Sequence, residues 1–226
     1  MDPIAWITSS IVVLAAVALV LAVAVLRRYS ARHQACYLYW GSGLVLVFAT
    51  LLAEAFFYIG FQSVWMIQLY LFLVAFLVGL LALGSMQLIG SLRARKAYVA
   101  YFGGATLLLL GTLVLFPSNP SMIVDGIVQG NPPVPVIVTS SLLTVPGAAI
   151  LIGLSGYAAY RTRRWQVLYI AVGTAVITIA GALYIATFPV SLYYAEFVGV
   201  FLLFLGFVRV PYLSARPAPT AIAAGQ

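Results

Sequence analysis

Lysine, histidine and cysteine occur once each in this chain, and aspartate and glutamate together only four times. Each scarcity removes a class of chemistry. The one lysine, Lys96, lies in a short basic loop, and the last apolar stretch, Phe197 to Val208, contains none. A seven-helix protein that holds retinal as a Schiff base is thereby excluded. His33 sits beside Arg32 with no carboxylate and no histidine partner, which rules out haem held by paired histidines and the histidine-rich zinc sites of membrane hydrolases. Cys36 cannot form an intrachain disulfide, and no Cys-x-x-Cys or Cys/His grouping offers a metal site. A glycine-rich phosphate loop and a Ser/His/Asp set are missing too. The expectation is a protein that is not an enzyme and holds no cofactor and no metal.

What the chain has in abundance is apolar surface. Hydrophobic residues make up 65% and charged residues 7%, and mean hydropathy is +1.15, well inside the membrane class. A bilayer core needs about 20 apolar residues per helical crossing, so 226 residues with short connections hold about seven spans and no soluble domain. The sequence predicts an all-α bundle of seven transmembrane helices forming one domain over 1–210. The spans are Ile4–Leu26, Tyr37–Gly60, Val64–Ile89, Tyr98–Phe116, Val136–Tyr160, Trp165–Phe188 and Val190–Val208. Residues 211–226, rich in proline and small side chains, read as a disordered cytoplasmic tail.

The net charge of +7 is distributed in a way that points to a bilayer and not to nucleic acid. Arg27, Arg28 and Arg32 follow span one. Arg93, Arg95 and Lys96 follow span three, Arg161, Arg163 and Arg164 span five, and Arg209 and Arg216 span seven. Every basic residue falls on alternate connections, the positive-inside pattern, which sets the N-terminus outside and the C-terminus inside a multi-pass cell-membrane protein. The acidic start Met1-Asp2-Pro3 is wrong for a cleaved signal, so Ile4–Leu26 reads as a retained helix. The longest connection, Pro117 to Pro135, falls on the outer side and carries an apolar patch at Met122, Ile123 and Val124. Such a patch lies on the membrane surface or caps the bundle. Pro146 interrupts span five and frees the carbonyl of Leu142, with Ser141 and Thr144 at hand to satisfy it.

Two of the four acids lie within spans. Glu54 and Glu196 both fall about 9 Å below the outer boundary. A carboxylate at that depth is costly unless neutralised, paired or hydrated, and marks a functional site. No lysine or arginine shares their level, so their partners must be donors, water, a cation or each other. In span two, Trp40, Gly43, Val47, Thr50, Glu54 and Tyr58 recur at three- and four-residue steps, as do Glu196, Gly199, Leu203 and Gly206 in span seven; these small and polar stripes face protein. Other polar groups gather at the same level, among them Gln68, Thr139, Ser140, Ser141, Thr144, Tyr184 and Tyr193.

Two functions fit these residues. One is a carrier or channel for a small cationic or protonatable solute, with an outward-facing polar vestibule, Glu54 and Glu196 as binding or proton-coupling groups and Gln68, Tyr58, Tyr184 and Tyr193 as donors. The other is a non-catalytic accessory or sensory subunit of a membrane complex. The expected partners are the lipid bilayer, a small cation or proton, and a membrane protein or second copy of the chain.

Overall fold

The computed structural model describes the backbone of residues 3–124, 127–128, 132–163, 165–185 and 189–209. Side chains are described for these except at 3–8, 124, 127–128, 162, 178–185, 189–194, 196 and 208–209. The expected tail, 211–226, lies outside the described residues. Seven helices make up nearly all of the structure: α1 (Pro3–Arg32), α2 (Ala35–Tyr58), α3 (Val64–Met86), α4 (Leu92–Leu115), α5 (Val134–Thr162), α6 (Leu168–Ile185) and α7 (Pro189–Arg209). Five contain segments long and apolar enough to cross a bilayer: Ser9–Arg32, Ala35–Tyr58, Val64–Met86, Leu92–Leu115 and Val134–Arg161. The chain is a membrane-embedded helical protein. In α6 and α7 the described apolar stretches, Trp165–Ile177 and Phe197–Phe207, are shorter.

Some helices outrun the apolar segments that predict them, while α3 stops at Met86, short of the predicted Ile89. α1 runs on through Arg27 and Arg28 to Arg32, because arginine is a good helix former and an α-helix satisfies its own backbone in water as well as in lipid. α4 begins at Leu92, where the Ser91 side chain accepts the amide of Ala94 at 3.3 Å, a polar N-cap invisible to hydropathy. Ser63 caps α3 in the same way through the amide of Met66. Gly60, at φ +90°, makes the turn between α2 and α3 in a conformation that a side chain would strain.

Consecutive helices run antiparallel. Trp40 near the start of α2 donates to Ser85 near the end of α3, Gln68 in α3 reaches Leu113 in the last turn of α4, and Ile170 in α6 lies against Gly206 in α7. The arginine-bearing ends of α1, α4, α5 and α7 therefore collect at one end of the bundle, here the basic end. Packing follows a closed ring, α1–α2–α3–α5–α6–α7 and back to α1, with α4 outside it against α3 and α5. Small residues set the close approaches. A Cβ on Gly43 would lie 2.4 Å from Leu81 of α3, one on Gly173 2.7 Å from the carbonyl of Gly199, and one on Gly84 2.5 Å from the Trp40 ring. Without a hydrophobic force between helices in lipid, this kind of fit is what holds them. The α2 stripe predicted to face protein does so: Trp40, Val47, Thr50 and Glu54 are all buried.

Pro146 lies inside α5 as expected, but the carbonyl of Leu142 takes its hydrogen bond from the Tyr101 hydroxyl of α4. Ser141 and Thr144 bond the carbonyls of Ile137 and Ser140 at 2.7 and 3.1 Å. A hydroxyl on a short side chain reaches back three or four residues on its own helix, so an unpaired carbonyl facing α4 is met from there.

The connection after α4 caps the bundle. A 3₁₀ turn at Pro120–Met122, with the Asn119 side chain accepting the Ser121 amide, leads into a two-residue antiparallel pairing of β1 (Ile123–Val124) with β2 (Ile127–Val128). Met122 and Ile123 are buried, 7% exposed each, in an apolar cluster with Phe57 of α2 and Ile67 of α3.

Candidate functional site

Glu54 sits one turn from the end of α2, about 6 Å below Tyr58, and is 7% exposed. Its surroundings are built by the α2–α3 hairpin. The turn after Tyr58 brings α3 back alongside, and Tyr70 then stands at nearly the depth of Glu54. The Tyr70 hydroxyl donates to Glu54 Oε1 at 2.7 Å, and its ring meets Phe57 edge to face at 5.6 Å. The other carboxyl oxygen, Oε2, is buried and has no hydrogen-bond partner among the described residues. The Thr50 hydroxyl, one turn below, is held by the carbonyl of Val47 at 2.8 Å. Above the carboxyl lies the apolar cluster of Phe57, Ile67, Met122 and Ile123, with Tyr70 packed against it. Tyr70 thus belongs both to the carboxyl and to its cover.

An unpaired buried oxygen of this kind is uncommon, since burying a polar atom without a partner costs free energy comparable to a lost hydrogen bond. A proton on the carboxyl or a donor outside the described residues would meet that demand.

Gln68 is buried at a similar depth but belongs elsewhere. Its amide nitrogen donates to the carbonyl of Leu113 at 2.8 Å, pinning α3 to the last turn of α4. Two residues apart on one helix, Gln68 and Tyr70 point to nearly opposite sides. Tyr58, half-buried, is on the Glu54 face of α2 one turn nearer the end. Tyr184 falls in the last turn of α6, and Tyr193 and Glu196 in the first turns of α7, each described by backbone alone. The hydroxyls of α5 turn onto their own helix: Thr139 onto the carbonyl of Pro135 and Ser140 onto that of Ile137. Thr139 also meets Thr112 of α4 at 2.8 Å. Apart from the Thr112–Thr139 contact these hydroxyls bond within α5.

Tyr70 is the residue that sequence reasoning missed. A tyrosine near a helix end reads as an interfacial anchor. Counting back from the turn at Ile59–Ser63 along both helices brings Glu54 and Tyr70 to nearly the same level, and that arithmetic is the signal that finds it.

At the basic end the same helix is filled differently. Trp40 is fully buried. It stacks on Phe207 of α7 at 4.7 Å with an interplanar angle of 16° and donates to Ser85 at 3.2 Å. The Ser85 hydroxyl in turn donates to the carbonyl of Leu81. Among the described residues no group of three or more His, Cys, Asp or Glu side chains is arranged to hold a metal. No family model, no curated protein and no solved structure matches the chain, so what the site does rests on its own residues.

Proposed function

We propose that this protein is a seven-span carrier of the cell membrane for a small cationic or protonatable solute, entered from the end opposite the arginines, with its N-terminus outside. The observation that carries this reading is Glu54: a carboxyl 7% exposed, held through one oxygen by Tyr70 and with the other unpartnered among the described residues. Most buried carboxyls in a packing role have both oxygens engaged.

Glu196 is the second binding or proton-coupling group. The Trp40–Phe207 stack sets the register of α2 against α7. Glu54 lies about 21 Å along α2 from Trp40 and within about 40° of its face. Position 196 lies about 17 Å along α7 from Phe207 and within about 20° of its face. Both positions thus fall near the faces that carry the stack and within about one helical turn of the same depth. The aromatic stack below and the Met122–Ile123 cover above favour a carrier that opens to one side at a time over a continuous channel. In this reading Tyr58, one turn from Glu54 on α2, and Tyr184 and Tyr193, near the level of position 196, are the supporting donors.

Uptake into proteoliposomes across a panel of monovalent and organic cations tests the reading. Glu54→Gln and Glu196→Gln keep size and remove charge, and each is expected to abolish uptake while the protein remains folded. Uptake retained in the double variant would leave the accessory or sensory subunit as the function.

A further inference from the structure

Which cations fit is set by what surrounds Oε2, and here the geometry is selective. A sodium or calcium ion stripped of water needs about six or more oxygens around it. Among the described residues the side-chain oxygens on these faces are the carboxyl of Glu54 and the hydroxyls of Tyr70 and Tyr58, fewer than such an ion needs, and the Thr50 hydroxyl is turned onto its own helix. The apolar residues gathered nearby are Phe57, Ile67, Met122 and Ile123, all buried. One unpaired carboxyl oxygen beside an apolar, ring-bearing cluster matches a molecule with a single N–H donor at one end and hydrocarbon at the other.

We propose that Glu54 Oε2 is the anchor for a protonated organic amine, whose N–H⁺ donates to it and whose apolar body lies among Phe57, Tyr70, Met122 and Ile123. This rests on the carrier reading and narrows its substrate to ammonium compounds with an apolar portion, to the exclusion of alkali and alkaline-earth ions. Tyr70 positions the anchor. Its hydroxyl fixes Oε1, leaves Oε2 as the exchangeable face of the carboxyl, and its ring edge on Phe57 ties that orientation to the apolar cluster. The faces of the two rings add attraction for a cation seated against them. Binding of the amine displaces whatever proton or water occupies Oε2, so no third charge is needed in the site.

Thermal stabilisation of the purified, detergent-solubilised protein by phenethylammonium, methylammonium, tetramethylammonium, sodium and calcium tests this. Phenethylammonium is expected to raise the melting temperature saturably and to bind more tightly than methylammonium; tetramethylammonium, which has no N–H, is expected to bind far more weakly. Glu54→Gln should weaken phenethylammonium about 30-fold or more, the loss seen when one member of a desolvated charge pair is removed. Ile123→Ser, remote from the carboxyl, should weaken phenethylammonium and leave methylammonium unchanged, which tests the apolar cluster even if Glu54→Gln folds poorly. Glu54-dependent stabilisation by sodium or calcium without phenethylammonium would overturn the amine assignment and leave the carrier standing. Equal binding of phenethylammonium to wild type and Glu54→Gln would overturn the anchor. No stabilisation by any of the five, together with uptake unaffected by Glu54→Gln, would overturn both.

Discussion

Trp40 and Glu54 lie on one helix, near one face of it and about 21 Å apart, and they differ in what their surroundings leave unsatisfied. Around Trp40 every demand is met. The indole N–H has Ser85, the ring has Phe207, and α3 comes close because Gly84 has no Cβ to collide with the ring. Around Glu54 one oxygen has Tyr70 and the other has nothing among the described residues, under a roof of a few apolar side chains contributed partly by a loop. The first arrangement is a plug that gains by being left alone. On the carrier reading, the second is completed by the solute that enters it. A fold that fills one end of a helix so thoroughly has the means to fill the other, and the incompleteness at Glu54 is for that reason the better mark of function than burial or charge alone.

The most direct way to break the comparison is to show that the two ends do not face opposite sides of the membrane. With the buried Cys36 replaced by alanine, Ser121→Cys in the exposed 3₁₀ turn should react fully with an impermeant thiol reagent applied outside, and Ala97→Cys at the exposed start of α4 should not. Ser118 falls in the same loop by sequence, yet it is 1% exposed and would not report. Reversed labelling would place Glu54 at the cytoplasmic end and turn the proposed route around.

Stability gives the next largest contrast. Trp40→Ala removes a large, fully buried ring and strands Phe207 and Ser85, and should cost about 3–5 kcal/mol, read as loss of folded protein in a denaturant titration in mixed micelles. Glu54→Gln keeps an acceptor for Tyr70 and should cost less than about 1 kcal/mol. Comparable losses at the two positions would mean that Glu54 is as structural as Trp40. Between these lies Gln68→Leu, which leaves the Leu113 carbonyl without its donor and should cost about 1–3 kcal/mol with uptake unchanged. If Gln68→Leu abolished uptake instead, the polar site would extend to the far side of α3.

Much of this was legible before the helices were placed, and the reasons differ residue by residue. The ends of the spans declare themselves because arginine cannot rest in hydrocarbon, so Arg27, Arg95 and Arg161 had to fall at helix ends. Glu54 declares itself for the same reason. What hydropathy does not encode is backbone satisfaction by polar residues outside the apolar run, and so the N-cap at Ser91 and the run of α1 to Arg32 were missed. Nor does it encode pairing between helices. Gln68 and Tyr70 look alike as polar residues near one end of α3, and only the hairpin geometry sends one to Leu113 and the other to Glu54. The position of α4 outside the ring could not be read from successive apolar spans of similar composition.

The smallest expected effect is at Tyr101, and it tests whether satisfaction at a kink counts as it does at Trp40. Pro146 removes the donor that the Leu142 carbonyl would have had in a regular helix, and the Tyr101 hydroxyl of α4 supplies one. Tyr101 is 39% exposed, so water or lipid headgroups replace part of what is lost when the hydroxyl goes. Tyr101→Phe should therefore cost about 0.6 kcal/mol, the average for a hydrogen bond between membrane helices, and leave uptake as in wild type. Restoring a regular helix with Pro146→Ala in the same protein should make Tyr101→Phe nearly neutral, because the Leu142 carbonyl then has the amide of residue 146. A Tyr101→Phe penalty that persists in the Pro146→Ala background would mean that the tyrosine contributes through packing of α4 on α5 and not through the carbonyl.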